Sequence, residues 1–316
     1  MNNIWKDGIY GLVVGDALGV PVEFSERAER KEDPVTDMRA YGTHQQPAGT
    51  WSDDSSMTLA TLKSIATKKS IDYDNMMECF ASWCMQGDFT PFGEVFDIGM
   101  ATSRAIMNFA RGMKATESGG KTEWDNGNGS LMRILPVCLY LYEQQKQLHS
   151  SDSENMDVIY HASALTHGHL RSQIACGIYY FLIKGILDNE GTLDERLSAG
   201  IQSVKDFYGS DVGIGEMTHY SRLLDLESFA VLSEGEIKSS GYVVHTLEAA
   251  VWCLLNTSSY REAVLRAVNL GEDTDTVAAV TGGLAGLYYG YNQIPGEWID
   301  VLQKVDFIDG LLASNV

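Results

Sequence analysis

Two stretches of this 316-residue sequence place carboxylates and hydroxyls directly before an apolar run of helical period. The side chains concerned are Ser52, Asp53 and Asp54 in the first stretch and Asp273, Asp275 and Thr276 in the second. A single acidic helix start is explained as a cap, because carboxylates accept the free amides there and complement the helix dipole. Two such clusters also form the oxygen-rich ligand set that hard divalent cations bind. If the fold brings them together, the four aspartates and two hydroxyls could hold a pair of metal ions.

A further carboxylate, Glu23, follows a turn that contains Gly19 and Pro21. Taken alone, it is explained as a solvated loop residue, with Gly19 ending the preceding helix. No chemical role follows from Glu23 by itself.

Residues 124–130, with the sequence WDNGNGS, form a second polar segment, here called the glycine loop. Its glycines, free amides and the helix expected after it make a cradle for an anion or a phosphate. Asn-Gly pairs are also common turn formers, so a purely structural loop remains an alternative. The segment is not a P-loop, because no Gly-Lys-Thr follows it.

Two weaker signals are a pair of histidines and an isolated aspartate. His167 and His169 are two residues apart, which is too close to share a helix face, so a common zinc site is not expected. His167 either contacts a ligand or caps a helix end. Asp97 lies inside an apolar segment that we expect to be helical. Its carboxylate there either faces solvent or binds a cationic partner.

Apolar residues recur at helical spacing along almost the whole chain, and strand-like alternation is nearly absent. The pattern predicts an all-α protein without short repeats or low-complexity linkers. We expect helices over residues 4–15, 55–68, 72–86, 94–111, 130–147, 155–166, 169–188, 192–207, 242–256, 258–270 and 276–290. Long polar loops are expected over residues 25–50, 112–129 and 208–240, and loops of this length are usually functional.

Composition limits the classes of partner. The net charge of −20 argues against nucleic acids and anionic membranes, although metals and backbone amides can still meet an anionic small substrate. The five cysteines are scattered, odd in number and form no CxxC motif, so we interpret them as reduced core residues of a cytoplasmic protein. No segment is predicted to be a signal peptide or a membrane span.

Several motifs together resemble one known family. In chain order they are GDALGVPVE, GTWSDDSSMTLA, FDIG, GNGSLMR, LTHGH and LGEDTDTVAAVTGGLAGLYYG. They are similar to the ADP-ribosylglycohydrolase family, and most of all to its bacterial branch of dinitrogenase reductase-activating glycohydrolases. The resemblance covers about residues 8–290, and its two acidic motifs are highly specific. It implies a single domain over residues 1–316, folded as a compact orthogonal bundle of helices around a centre of two Mg²⁺ or Mn²⁺ ions.

The resemblance also implies a role for each candidate residue. The metal ligands would be Ser52, Asp53, Asp54, Asp273, Asp275 and Thr276. Glu23 would lie in an acidic loop over the site, Asp97 near the departing guanidinium, and Tyr242 against the adenine. The diphosphate and ribose would contact Gly127, Asn128, Gly129, Ser130 and, at the far ribose, His167. Ser52 replaces the more common threonine but keeps a hydroxyl oxygen, and Glu272 stands where glycine or asparagine is frequent.

The function implied is removal of ADP-ribose from a modified protein by a metal-dependent hydrolase. Either Glu23 or a ligand aspartate would accept the proton, with Asp273 among the catalytic candidates. An arginine linkage is the first hypothesis, since Asp97 would pair with the guanidinium and the net charge favours a cationic acceptor. Serine-linked or other conjugates are the second. The third is a non-catalytic protein that binds ADP-ribose or occludes a cognate ADP-ribosyltransferase, although a complete ligand set argues for catalysis.

Overall fold

Helical periodicity in the sequence corresponds to sixteen α-helices in the computed structural model, which describes residues 3–209 and 214–314. In chain order they are α1 (Ile4–Gly19), α2 (Arg27–Glu32), α3 (Asp53–Lys68), α4 (Tyr73–Gln86), α5 (Met100–Ala110), α6 (Leu135–Leu148), α7 (Asp152–Ala164), α8 (Leu170–Asp188), α9 (Leu193–Tyr208), α10 (Ile214–Met217), α11 (Leu226–Ala230), α12 (Val243–Leu255), α13 (Tyr260–Val268), α14 (Thr274–Tyr289), α15 (Gly296–Val301) and α16 (Val305–Leu312). Short 3-10 turns lie at Val20–Val22, Gly42–His44, Ala115–Glu117, Leu131–Arg133, Thr218–Leu224, Glu234–Glu236 and Tyr291–Gln293. The described residues contain no β-strand, only isolated bridges, so the predicted all-α fold is confirmed.

Local sequence signals account for where many of these helices begin. Ser151 and Thr192 form capping boxes with glutamates three residues later, which satisfies the first free amides of α7 and α9. At α3 and α14 the N-cap positions are occupied by Ser52 and Asp273, so both acidic clusters are helix starts as predicted.

The helix predicted over residues 94–111 is shorter than expected. It begins only at Met100, and residues 94–99 before it have no regular secondary structure. Asp97 has a φ of +56°, which a right-handed helix does not allow, so the prediction of a helical Asp97 is wrong. Apolar spacing continues through this segment, and the break follows from backbone conformation that periodicity does not report.

Short helices were also missed. The helices α2, α10, α11, α15 and α16 all lie in segments for which no helix was predicted, and each has eight residues or fewer. Two of them, α10 and α11, fall in the long polar loop expected over residues 208–240, of which residues 210–213 lie outside the described part. A single short turn gives too few apolar repeats to stand out from a loop.

The packing of α14 along α1 forms the centre of the molecule. A methyl group at Gly282 would lie 2.2 Å from the carbonyl oxygen of Gly11, so only glycine allows the two backbones to approach this closely. Near the other end of the contact, a methyl group at Gly19 would lie 2.3 Å from the Cα atom of Asp275. The glycine-rich run of α14 therefore places the backbone of a predicted metal ligand directly against α1.

One contiguous hydrophobic core contains buried side chains from Trp5 on α1 to Leu311 on α16. Cys138, Cys176 and Cys253 are buried in it, whereas Cys79 and Cys84 are only partly buried, and all five are free thiols. Among the described residues, no helix combines the length and the apolar character that crossing a bilayer requires.

Candidate metal centre and substrate cavity

The N-terminal ends of α3 and α14 lie next to each other at the edge of the hydrophobic core. The hydroxyl of Thr276 donates to a carboxylate oxygen of Asp54 at 3.3 Å, although 222 residues separate the two in the chain. Ser52 donates to the same oxygen at 2.9 Å and also caps α3. The structure thus brings together the two acidic clusters that the sequence predicted to be partners.

Asp16 on α1 is a third acidic contributor, which the sequence reasoning passed over. Its fully buried carboxylate accepts hydrogen bonds from the amide of Ser52 at 3.0 Å and from the amide and hydroxyl of Ser55 at 3.0 and 2.5 Å. It therefore fixes the first turn of α3 from the side. One oxygen of Asp16 lies within 4.8 Å of oxygens of Asp54 and Asp275, so it also belongs to the acidic cluster itself.

Three of the predicted ligands each have one oxygen held by the protein and one without a partner in the described structure. Asp273 accepts from the amide of Asn128 at 2.7 Å, Asp275 from the backbone of Thr276 at 2.9 Å, and Asp54 from the hydroxyls described above. Their remaining oxygens are buried and accept no hydrogen bond. Since unpaired buried carboxylate oxygens are costly, and since hard cations take such oxygens as ligands, these residues fit a divalent metal.

The electrostatics of the cluster support the same conclusion. Burial, followed by repulsion from neighbouring carboxylates, raises the pKa of Asp53, Asp54 and Asp275 well above the usual value for aspartate. Burial also raises the pKa of Asp16 to about 6, although hydrogen bonds from Ser55 and Ser52 oppose the shift. A cation would relieve this repulsion and displace the protons, which is how metal sites commonly couple to pH.

Glu23 and Asp97 lie beside the cluster. Glu23 is almost fully buried, and one of its oxygens lies within 4.8 Å of oxygens of Asp273 and Asp275. Burial and the nearby Asp97 raise the pKa of Glu23 strongly. His44 contacts the Glu23 carboxylate directly, and burial lowers the pKa of His44, which favours its neutral form. His44 was missed because nothing in the sequence links it to Glu23.

Strained backbone surrounds these carboxylates. Phe24, Asp97 and Glu272 have φ values of +63°, +56° and +61°, a left-handed region that glycine adopts readily, asparagine and aspartate occasionally, and other residues rarely. The amide of Phe24 donates to the carbonyl of Glu272 at 2.7 Å, so the Glu23 loop is tied to the start of α14. A positive φ suits the glycine or asparagine that the family resemblance gives at position 272, and nothing in the structure explains the glutamate there.

The glycine loop lies against α12 and the start of α14. The amide group of Asn128 donates to Asp273 and, at 2.9 Å, to Thr246. An antiparallel bridge also joins Gly127 to Tyr242. The loop is therefore connected by hydrogen bonds to a predicted metal ligand.

A cavity of about 780 Å³ opens over the acidic cluster and the glycine loop. The candidate residues on its wall are Glu23, Asp53, Asp97, Gly127, Asn128, Gly129, His167, Asp273 and Thr276. Five carboxylates line it, from Glu23, Asp53, Asp97, Asp125 and Asp273. Within the described part of the chain, Arg104 is the one lysine or arginine on this wall, and it pairs with Asp125 of the glycine loop. Arg104 was not predicted, because its spacing on α5 carries no functional signal.

Two predicted contact residues do not lie on this wall. Ser130 is fully buried, and its hydroxyl accepts from Ser163 at 2.9 Å, so its side chain faces the core rather than the cavity. Tyr242 lines an adjacent recess of about 360 Å³ together with Arg171 and Trp124. Because Trp124, Gly127 and Gly241 border both spaces, the recess continues from the cavity. Trp124 is 94% exposed, which is unusual for an indole and marks the rim between them.

Comparison with known proteins gives consistent matches. A family model described as ADP-ribosylglycohydrolase matches residues 5–316. An ADP-ribosylarginine hydrolase, Tri1, of Serratia proteamaculans is 30% identical over 308 residues, which is 97% of this chain and 77% of that protein. An ADP-ribosyl-[dinitrogen reductase] glycohydrolase of Rhodospirillum rubrum is 28% identical, over 96% of this chain and 93% of that protein. A solved structure titled ADP-ribosylglycohydrolase-related protein complex is similar with a TM-score of 0.78 and 28% identity, covering 98% of this chain and 96% of that one.

Proposed function

The chain belongs to the ADP-ribosylglycohydrolase family, and we propose that it is a metal-dependent hydrolase that removes ADP-ribose from arginine side chains of modified proteins. The observation that carries this proposal is the meeting of the α3 and α14 starts under a cavity, with three buried carboxylate oxygens left without partners. The arginine linkage is further supported by the 30% identity to a protein named ADP-ribosylarginine hydrolase.

We propose that this centre binds two Mg²⁺ or Mn²⁺ ions. The residues that would hold them are Ser52, Asp53, Asp54, Asp273, Asp275 and Thr276, with Asp16 as an additional carboxylate within reach. Such ions supply electrostatic stabilisation of negative charge and activation of water. The protein contributes a rigid frame, because each of Asp54, Asp273 and Asp275 has its other oxygen held by a hydrogen bond.

The ADP-ribosyl group would extend from the acidic cluster along the glycine loop. Backbone amides near Gly127 and Gly129 and the side chain of Arg104 meet the diphosphate, since they are the groups on this wall that suit an anion. The adenine would occupy the recess between Trp124 and Tyr242, where aromatic faces are available for stacking. Ser130 supports the loop from behind rather than contacting the ligand.

The acceptor side of the cavity holds Glu23 and Asp97. In the proposed reaction, a water oxygen bonds to the anomeric carbon while the bond from that carbon to the arginine nitrogen breaks. Glu23 accepts the proton from the water, because its carboxylate lies beside the cluster and borders the cavity. Asp97 binds the arginine side chain, and the proton held by Glu23 passes to the departing nitrogen, so that arginine leaves as a guanidinium ion. Holding both partners in place replaces a bimolecular encounter with an oriented one.

The deciding experiment compares release of ADP-ribose from an arginine-modified protein and from a serine-modified peptide in the presence of Mg²⁺. We expect release from arginine and none, or far less, from serine. Asp273→Ala should lower the rate by more than about 100-fold, since even residues that only support a metal ligand typically cost 10–100-fold. Asp300→Asn, which changes an exposed carboxylate on α15, serves as the control.

Full activity in Asp273→Ala would overturn the metal assignment, and preferential release from serine would overturn the arginine linkage. Inactive Asp273→Ala protein that still blocked a cognate ADP-ribosyltransferase would show that occlusion without hydrolysis is sufficient for protection.

A further inference from the structure

A fully buried arginine lies behind the cavity wall and has no carboxylate partner among the described residues. Arg133 donates through Nη2 to the carbonyl of Ala162 at 3.1 Å and to the hydroxyl of Thr166 at 2.8 Å, while its Nε and Nη1 atoms make no hydrogen bond. Its guanidinium stacks on Phe80 with 4.7 Å between the charged carbon and the ring centre. Burial lowers the pKa of Arg133 to about 10, so the group stays charged near neutral pH. A buried charge without a counter-ion is costly, so its presence needs an explanation beyond packing.

The hydrogen bond to Thr166 continues to a residue of the cavity wall. The Thr166 hydroxyl lies 2.9 Å from Nδ1 of His167. Because a guanidinium only donates, the Thr166 oxygen must accept from Arg133. The Thr166 hydroxyl has one proton to donate. Among the groups that this hydroxyl contacts, Nδ1 of His167 is the one that can accept it. Nδ1 is therefore the unprotonated nitrogen, and the proton of the neutral imidazole lies on Nε2.

The protonated nitrogen faces the glycine loop. A methyl group at Gly127 would lie 3.3 Å from Nε2 of His167, and one at Gly129 would lie 2.8 Å from its Cε1 atom. His167 is also part of the cavity wall. Burial, together with the nearby charge of Arg133, lowers the pKa of His167 to about 3, so the ring remains neutral over the physiological range. The wall thus presents a neutral N–H donor beside the segment that is suited to bind phosphate and ribose oxygens.

We propose that Arg133 and Thr166 are positioning residues that hold His167 in its Nε2–H tautomer, so that this ring donates a hydrogen bond to an oxygen of the ADP-ribosyl group. The proposal rests on the proposed function only for the identity of that ligand. In the opposite tautomer, a nitrogen lone pair would face the ligand oxygen, and the hydrogen bond would be lost. Losing one such bond weakens binding by about tenfold or more.

The test uses the full chain labelled with ¹⁵N-histidine. Ring nitrogen shifts of His167 measured by NMR distinguish the two tautomers, and calorimetry with ADP-ribose measures affinity. The wild type should show a protonated Nε2 and a bare Nδ1. Thr166→Val removes the hydroxyl with little change of shape, so the Nδ1–H form should appear and ADP-ribose should bind about tenfold more weakly. Thr166→Ser restores the hydroxyl and should restore both readouts.

A matched control is Thr61→Val, because Thr61 is also buried but donates only to the carbonyl of Met57 within α3. It should leave the His167 tautomer and the ADP-ribose affinity unchanged, while showing what the loss of a buried hydroxyl does to thermal stability. A wild-type His167 protonated on Nδ1 would overturn the proposal, as would a Thr166→Val protein with unchanged tautomer. Failure of the wild type to hydrolyse arginine-linked ADP-ribose would refute the proposed function and leave the tautomer result standing.

Discussion

Replacement of Asp275 by asparagine should stabilise the metal-free protein and remove the stabilisation that metal gives. Asp275 is fully buried, and one of its oxygens lies within 4.8 Å of oxygens of Asp16 and Asp54. In the metal-free protein these groups repel one another or must take up protons. Asparagine removes the charge and can donate its amide hydrogens to the neighbouring carboxylates. The same change removes a predicted ligand.

The size of the effect follows from the distances and the pKa values. Two ionised carboxylates 4.8 Å apart repel by about 3.5 kcal/mol at an effective dielectric constant of about 20. Protonation limits this cost: forcing an aspartate with an ordinary pKa of 3.8 to stay protonated at about pH 7.5 costs at most about 5 kcal/mol. We therefore expect Asp275→Asn to stabilise the metal-free protein by about 3 kcal/mol. Unfolding 316 residues changes the entropy by about 0.7 kcal/mol per degree, so Tm should rise by about 4 °C.

Metal should cancel this difference between the two proteins. Mg²⁺ at about 100 times its Kd stabilises the wild type by about 2.7 kcal/mol, which is again about 4 °C. The Asp275→Asn protein should gain almost nothing from the metal. Thermal unfolding followed by circular dichroism, in EDTA and in saturating Mg²⁺ or Mn²⁺, measures both quantities, with Asp300→Asn as the exposed control. A variant that melts below the wild type in EDTA, or that keeps the full metal-induced increase, would refute the reasoning.

Three further outcomes can be measured directly. Burial raises the pKa of Asp97 to about 7. Its contribution to the stability of the metal-free protein is therefore present below about pH 4 and is lost as the pH rises through 7. Tm measured in EDTA should increase as the pH is lowered from 8 to about 6, and saturating Mg²⁺ should flatten this dependence. Arg104→Ala should raise KM for arginine-linked ADP-ribose about tenfold with kcat within about twofold, whereas the exposed Arg111→Ala should change neither; a fall confined to kcat in initial-rate measurements would contradict a role in binding. Gly282→Ala should lower the free energy of unfolding by at least about 2 kcal/mol in urea titrations, since its methyl group would lie 2.2 Å from a carbonyl oxygen of α1. A methyl group at Gly310 would meet no atom within 4 Å, so the control Gly310→Ala should be neutral or stabilising by up to about 1 kcal/mol. Equal losses of unfolding free energy in the two variants would rule out the close contact as the cause.

The sequence was informative where polar side chains stand directly before an apolar run of helical period. Both acidic clusters could be located at helix starts, because capping and apolar spacing are local signals, and the motif order pointed to a shared site. The structure confirms that they meet, through the hydrogen bond between Thr276 and Asp54. The all-α class followed from periodicity in the same way.

Residues whose importance depends on long-range contacts could not be found from the sequence. Asp16 lies inside an apolar helix, and its role depends on hydrogen bonds to residues 36 and 39 positions later. His44 contacts Glu23 across a loop, and Arg104 lines the cavity from a position on α5 whose spacing carries no functional signal. For Ser130 the loop motif suggested a contact with the ligand. In the structure its side chain instead faces the core, where it contacts Ser163.

The placement of α14 against α1 also sets the order in which the centre can form during synthesis. Asp16, Asp53 and Asp54 are synthesised early. Thr276, the partner of Asp54, is synthesised 222 residues later, which takes about 10–45 s at usual elongation rates. Through that interval the nascent chain carries part of an acidic cluster without the helix that completes it. A chain that stops before residue 273 would lack both the central helix and half of the predicted aspartate ligands. Metal retention by newly made protein would therefore report that translation has passed α14 and that this helix has docked on α1.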